Sequence, residues 1–147
     1  GSWSSVIAQE ILEIPKIKIN LNANIQAGSV NVVADIQTLM SLDDKHNFTV
    51  FIVEDSIQSY QKNNNTDIGP TPDITDYYHR FVLRQSMNGS FGETLFDSPA
   101  SSNTSFNKPL SVSLNSAWNV NKLYAICVVT NGITEEVVQA AKVKINP

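Results

Sequence analysis

The chain is short of cysteine, of charge and of long apolar runs, and each shortage excludes something. Its 147 residues include one cysteine, so no internal disulfide can form and the fold must rest on packing and hydrogen bonds. Cys127 lies in the apolar run Leu123-Tyr124-Ala125-Ile126-Cys127-Val128-Val129 and reads as a small hydrophobe in a core. A nucleophilic thiol would need an exposed, electropositive setting with a positioned base, and its neighbours in sequence supply neither. Charged residues make up 16% of the chain and the net charge is −4, with no block of one sign. Nucleic-acid binding uses clustered Lys and Arg, so no nucleic-acid partner is expected. Lys16, Lys18, Lys142 and Lys144 alternate with apolar residues and read as solvent-facing charges on edge strands. No apolar run approaches the ~18 residues of a membrane helix, so this segment is not expected to insert into a membrane. Neither a signal peptide nor a lipidation motif is visible. Gly1-Ser2 is the kind of dipeptide that tag removal leaves, which makes a longer precursor the expectation. The two histidines, His46 and His79, are far apart in sequence. Asp43-Asp44 lacks the spaced ligands of a calcium loop. Neither a metal nor a cofactor is expected.

What is present is a period of two. Ile17, Ile19, Leu21, Ala23 and Ile25 alternate with Lys18, Asn20, Asn22 and Asn24, the pattern of a half-buried strand with one wet face. Ala27-Gly28-Ser29 makes a turn, and Val30, Val32, Ala34 and Ile36 repeat the pattern. Phe48 to Val53 and Leu123 to Val129 are apolar on both faces and belong at the centre of a sheet. Leu110, Val112 and Leu114 alternate with Ser111, Ser113 and Asn115. Ala141, Val143 and Ile145 face inward on a closing strand. With a strand near residues 79–88, the spacing predicts an all-β, immunoglobulin- or fibronectin-like antiparallel β-sandwich of about seven strands. The missing cysteine pair argues against the antibody variant.

Two stretches depart from the pattern. Trp3, Val6, Ile7, Glu10 and Ile11 have helical spacing, and Pro15 stops the helix. Residues 1–14 are therefore expected to be a linker or the terminal helix of an upstream domain, with the sandwich spanning 15–147. Residues 56–78 are rich in Asn, Gln, Asp and Pro. A loop of this length is usually functional or disordered. Asp73 as a cap with Ile74, Tyr77 and Tyr78 suggests a short helical turn over 74–78, followed by a strand from about His79.

The segment Tyr78-His79-Arg80-Phe81-Val82-Leu83-Arg84, followed by Asn88-Gly89-Ser90-Phe91-Gly92-Glu93, resembles the signature of the outer-membrane-protein-28-related lipoproteins of Bacteroidetes-type bacteria. Val53-Glu54-Asp55 with Ser59-Tyr60-Gln61 is similar to that family's strand end and following turn. The resemblance spans residues 3–145, with its specific motifs in 53–93. It implies an exported protein at the outer membrane or cell surface, anchored by a segment outside this chain. It also implies a thioredoxin-like domain upstream, since residues 3–15 resemble the helix that ends such a domain. No Cys-X-X-Cys is present, so a redox role does not carry over.

The residues offer little for catalysis. His79 with Asp73, Asp76 or Glu93 would be the acid–base candidates, yet no nucleophile elbow or interpretable carboxylate pair accompanies them, and no enzyme is expected. Arg80 and Arg84, four apart, would share one strand face with Val82 between them. They could pair with Glu54 or Asp55, or bind an anionic ligand. Tyr77, Tyr78, Phe91 and Phe96 could form an aromatic platform for a sugar, or fill or cover the core. Gly89 and Gly92 are not followed by a phosphate-loop Gly-Lys and read as a bulge or tight corner. The sequons at Asn47, Asn64, Asn88 and Asn103 read as chance in an Asn-rich bacterial chain. The expected binding residues are thus Tyr77, Tyr78, His79, Arg80, Arg84, Phe91 and Glu93, with a polysaccharide or protein as partner. The competing expectation is a structural spacer that packs on the upstream domain.

Overall fold

The computed structural model describes residues 2–97 and 99–147; Gly1 of the Gly1-Ser2 pair lies outside them. A short helix, α1 (Trp3–Glu10), precedes strands β1 (Ile17–Gln26), β2 (Ser29–Thr38) and β3 (His46–Glu54). Four two-residue strands follow: β4 (Ile57–Gln58), β5 (Gln61–Lys62), β6 (Asp73–Ile74) and β7 (Tyr78–His79). The chain continues through β8 (Val82–Ser86), β9 (Glu93–Phe96), β10 (Ser105–Ser113), β11 (Leu123–Asn131) and β12 (Val137–Lys144).

The long strands form two antiparallel sheets. The first has the order β1-β2-β10; the second has the order β12-β11-β3-β8, with β9 also on β3. Both β8 and β9 run antiparallel to β3. One pairs with its Phe51–Glu54 half and the other with its His46–Phe48 half. They are thus one interrupted strand, and the sandwich is three strands on four. Relative to the immunoglobulin constant arrangement, the fourth strand has moved from the first sheet to the second, which keeps the molecule in the expected immunoglobulin and fibronectin class.

The alternation in the sequence is the alternation in the structure. Val30, Val32, Ala34 and Ile36 of β2 are buried against Phe48, Val50 and Ile52 of β3 and Leu123, Ala125, Cys127 and Val129 of β11. Phe48 is the largest fully buried side chain; the rest of the core is chiefly aliphatic. The β1–β2 hairpin turns on Ala27 (φ 51) and Gly28 (φ 75). Two successive positive φ values give the primed turn whose twist matches that of the flanking strands.

The sheet edges are finished in different ways. At the β1 edge the chain end crosses over from β12: the Ile25 N–H donates to the Asn146 carbonyl at 2.8 Å, and the Asn146 N–H donates to Ala23 at 3.1 Å. Below this seam Ile145 is fully buried. At the opposite side Phe96 stacks on Phe106 of β10 (5.3 Å) and on His46 (4.9 Å). Phe96 therefore covers an end of the core. Strand β10 is itself an edge. It carries Pro109, which has no N–H to offer, and Lys108, which pairs with buried Ala34 and holds its ammonium 5.2 Å from the Phe48 ring.

The interruption between β8 and β9 explains the Asn-Gly-Ser-Phe-Gly-Glu motif. Met87 still donates to the Val50 carbonyl (2.8 Å). The backbone then leaves the ladder and returns at Glu93, opposite Phe48. The buried Asn88 carboxamide fills the gap. Its Oδ1 accepts from Val50 N–H (2.9 Å), and its Nδ2 donates to the Phe48 carbonyl (3.0 Å). One side chain thus imitates a strand residue. Gly92 (φ 72) lies so close to β3 that an added Cβ would sit 2.1 Å from the Phe48 carbonyl oxygen, leaving glycine as the residue that fits.

Asn88→Ala would orphan a buried donor and a buried acceptor, at about 1–3 kcal/mol each. It should lower unfolding stability by about 2–6 kcal/mol in urea titration, and Gly92→Ala, whose Cβ would meet the Phe48 carbonyl, should also destabilise. An Asn88→Ala loss below about 1 kcal/mol would show that the ladder closes without the carboxamide. Burial pushes the Cys127 thiol up to about 12. The protonated form is then favoured on folding, so this contribution is complete below the unfolded value and is lost as pH rises toward 12. The measurable result is that a thiol reagent at pH 8 labels Cys127 in urea but not in the native protein.

Candidate functional site

Between Ser56 and Phe81 the chain leaves the second sheet and comes back. Both ends of this excursion are left-handed, at Ser56 (φ 56) and Phe81 (φ 47). In between it is a narrow β-arm. Ile57 and Gln58 pair with His79 and Tyr78, and Gln61 and Lys62 pair with Ile74 and Asp73. Ser59 N–H to Tyr77 carbonyl (3.0 Å) and Asn63 N–H to Pro72 carbonyl (2.9 Å) extend the ladder. Lys62 adds an ion pair to Asp73 at 2.8 Å. No helical turn forms over 74–78. Ile74 ends β6, a turn covers 75–76, and Tyr78 begins β7, so strand pairing replaces the expected helix. The isolated helical turn would have had one hydrogen bond to offset its nucleation cost, whereas the arm supplies a partner strand.

Asn63 organises the tip. Its Nδ2 donates toward the carbonyls of Asn65, Gly69 and Pro70 at 2.9–3.1 Å, and its Oδ1 accepts from the Asn65 N–H. Asn63 is buried within an otherwise exposed loop. The surface held in place carries Tyr60, Tyr77, Tyr78 and Ile68, all exposed. The His79 ring meets Tyr77 edge-on at 4.9 Å.

The base of the arm is clamped by the two acids of Val53-Glu54-Asp55. The Asp55 N–H donates to Lys122 O (2.9 Å), while its Oδ1 accepts from Arg80 Nε (2.8 Å) and from Phe81 N–H (3.3 Å). Glu54 accepts from Arg84 Nε (2.9 Å) and from Asn119 N–H (3.2 Å). Lys122 Nζ donates to Ser56 O (2.9 Å). Arg80 and Arg84 do not share a regular strand face: Phe81 breaks the extended backbone, and β8 has a bulge opposite Ile52 and Val53 that takes up Arg84. Each arginine goes to its own carboxylate. Above them Phe81 packs edge-on against Tyr124 (5.5 Å), and Lys142 Nζ lies 4.0 Å from the Phe81 centroid.

The seven residues expected to bind a partner therefore fall into separate places. Tyr77, Tyr78 and His79 belong to the arm, while Arg80 and Arg84 clamp its base. Phe91 is 91% exposed at the tip of the β8–β9 interruption, with Glu93 just behind it on β9. That tip is near Phe48, whereas the arm departs beyond Glu54. Six residues of strand, roughly 20 Å, separate them, and Phe96 is committed to the core end. Tyr77 and Tyr78 thus share no single platform with Phe91 and Phe96. Tyr60 belongs with the arm aromatics, and the sequence hinted at it only through its place in the Ser59-Tyr60-Gln61 turn. His79 has no carboxylate in its ring contact, Asp73 is held by Lys62, and Glu93 lies at the other locus.

This architecture defines a sandwich module with an appended arm, and comparison with known proteins supplies its family. The model of the outer membrane protein Omp28 family matches residues 2–147; the chain belongs to that family. Among solved structures, a domain of the outer membrane lipoprotein Omp28 from Porphyromonas gingivalis is similar at 20% identity and TM-score 0.61, covering 92% of each chain. That likeness is one of fold. A β-glucosidase from Kluyveromyces marxianus in complex with glucose gives TM-score 0.36 and 8% identity, covering 92% of this chain and 14% of the enzyme, too weak to bear on function. No curated protein sequence matches. The family places the chain among exported proteins of the outer membrane, and its description names a location, not a reaction. No described helix is long and apolar enough to cross a membrane.

The two clamps should differ in cost. Glu54 is 7% exposed, so Arg84→Ala strands a buried carboxylate and should lower stability by about 3 kcal/mol, the low end for a buried pair because Arg84 is itself 29% exposed and Glu54 keeps the Asn119 N–H. Arg80 is 62% exposed, and Arg80→Ala should cost under about 1 kcal/mol. Chemical denaturation of both variants tests this; equal losses would contradict the assignment of Glu54–Arg84 as the buried clamp.

Proposed function

We propose that this chain is a non-catalytic interaction module of an outer-membrane-anchored protein at the cell surface, and that the β-arm binds a polysaccharide or a protein partner. The observation that carries this reading is the arm itself. It contributes none of the hydrophobic core around which the sheets close, yet two short ladders, an ion pair and the Asn63 network give it a defined shape. A segment shaped before binding loses less entropy on binding. Tyrosines kept exposed on such a support offer flat apolar faces with a polar tip, and the surrounding Asn and Gln side chains offer both donors and acceptors.

A second reading has its own support. Helix α1 buries none of its residues, and Trp3, Ile7 and Ile11 are exposed along it. A stripe of this kind suits packing on a neighbouring domain, such as a thioredoxin-like one upstream, with the sandwich as a spacer.

The test is interferometry of the full-length protein against purified surface polysaccharides and envelope proteins of Bacteroidetes-type cells. A Tyr60→Ala/Tyr77→Ala/Tyr78→Ala variant should lose at least tenfold in affinity, about 1.4 kcal/mol. Unchanged binding by that variant would remove the arm from the interaction. Absence of any binding, with loss of stability of the whole protein on Trp3→Ser/Ile7→Ser, would favour the spacer.

A further inference from the structure

The outer face of the three-stranded sheet is built from residues that a strand does not favour. Asn20, Asn22 and Asn24 point outward from β1, Asn31 from β2, and Asn107 and Ser111 from β10. A solvent-facing strand surface is ordinarily polar, but asparagine is among the residues depleted in strands. Here Lys18 and Asp35 are the only ionised residues at outward positions of these three strands.

The register sorts these side chains into rows. One row runs Asn146, Asn24, Asn31, Ser111 across the chain end, β1, β2 and β10. It is wired in one direction: the Ser111 hydroxyl donates to Asn31 Oδ1 (2.8 Å), and Asn31 Nδ2 donates to Asn24 Oδ1 (3.4 Å). The Asn24 amide is left as a donor with no protein partner among the described residues. A parallel row, four positions further along β2 with Val33 midway, is Asn20, Asp35, Asn107, joined by Asn107 Nδ2 to Asp35 Oδ1 at 2.6 Å. Between the two rows lies a third, Asn22, Val33 and Pro109, in which Val33 and Pro109 form a short apolar strip ending at the Asn22 amide. Successive outward positions are ~6.6–6.8 Å apart along a strand, so the strip is flanked closely by amides on both sides. A groove of about 380 Å³, within the size range of small-molecule sites, opens at the β1 side of this face; Asn22, Asn24, Asn31, Val33 and Asn146 line it, while Pro109 and the Asn20–Asp35–Asn107 row lie beyond it.

We propose that this face binds a neutral polysaccharide chain, whose sugar rings lie on the Val33–Pro109 strip with their hydroxyls on the two amide rows. A pyranose ring has an apolar C–H face and a rim of hydroxyls that both donate and accept. Carboxamides and serine hydroxyls are matched to it because they too do both. The scarcity of charge disfavours phosphate- or sulfate-bearing polymers, which recruit Arg and Lys. The absence of an aromatic or broad aliphatic centre disfavours a protein interface, whose core is apolar. This site belongs to the first sheet, while the arm is attached to the second, and it does not require the arm to bind anything.

The experiment is side-chain amide NMR of the 2–147 segment titrated with maltoheptaose, laminarihexaose, cellohexaose and xylohexaose, with tetragalacturonate as the charged control. At least one neutral oligosaccharide should shift the Asn22, Asn24, Asn31 and Asn146 amide resonances, and Asn24→Ala/Asn31→Ala should weaken binding at least tenfold. Asn31→Ser serves as a milder second variant, since it shortens the row without removing its polarity, and should weaken binding severalfold. Tyr77→Ala/Tyr78→Ala should leave these shifts unchanged, which separates this face from the arm. Shifts confined to the arm, equal binding by tetragalacturonate, wild-type affinity in the folded double variant, or no shift with any of the four would overturn the proposal.

Discussion

The Asn88 carboxamide is the interaction on which the geometry of the second sheet depends. A strand that breaks its ladder leaves buried N–H and C=O groups without partners, and each costs stability comparable to a lost hydrogen bond. By giving the Val50 N–H and the Phe48 carbonyl a substitute, Asn88 lets the backbone swing away for four residues and return in register at Glu93. Because β3 stays satisfied along this stretch, Phe48 remains seated in the core, while the released segment lifts Phe91 into solvent. The same economy appears at the tip of the arm, where buried Asn63 caps several carbonyls at once. In both places a short amide side chain closes a loop that the backbone alone would leave open.

How much of this could be read from the chain follows from the range of the physics involved. The period-two alternation of β1, β2, β10 and β12 reports a local geometric fact, that neighbouring residues face opposite ways, so those strands and their inward residues were legible. The doubly apolar runs around Phe51 and Ile126 likewise marked the two central strands of the larger sheet. Pro15 and the spacing of Trp3, Ile7 and Ile11 marked α1. The excursion over 56–80 was legible only as unusual composition, because two-residue strands have no period to detect and their pairing is set by contacts across the arm. The helical turn expected over 74–78 rested on the same apolar residues that the arm uses in extended form.

The site was legible in parts. Pairing of Arg80 and Arg84 with Glu54 or Asp55 was one of two roles that the sequence offered, beside an anionic ligand, and which arginine took which acid depended on a left-handed Phe81 and a bulge, neither of which is written in residue type. The glycines of the Asn-Gly-Ser-Phe-Gly-Glu motif could be assigned to a bulge, yet Asn88 itself read only as part of the motif and as a chance sequon. Its role depends on a carbonyl and an amide forty and thirty-eight residues away. The outward asparagines of β1 were visible from the start as the wet half of an alternation. Their alignment with Asn31 and Ser111 is a matter of register, which alternation alone does not state.

The finish of the sheet edges has a consequence for a protein held on a membrane. Molecules tethered to one surface meet at effective concentrations far above those in solution, and an open strand would then invite chain-to-chain zippering. Here β10 offers Pro109 and an inward Lys108, Asn146 covers the β1 edge at Ala23–Ile25, and the β8–β9 edge is broken by its own loop. In a crowded layer of such modules, zippering through the β10 and β8–β9 edges is thereby disfavoured, which leaves their arms and amide faces turned to the surroundings.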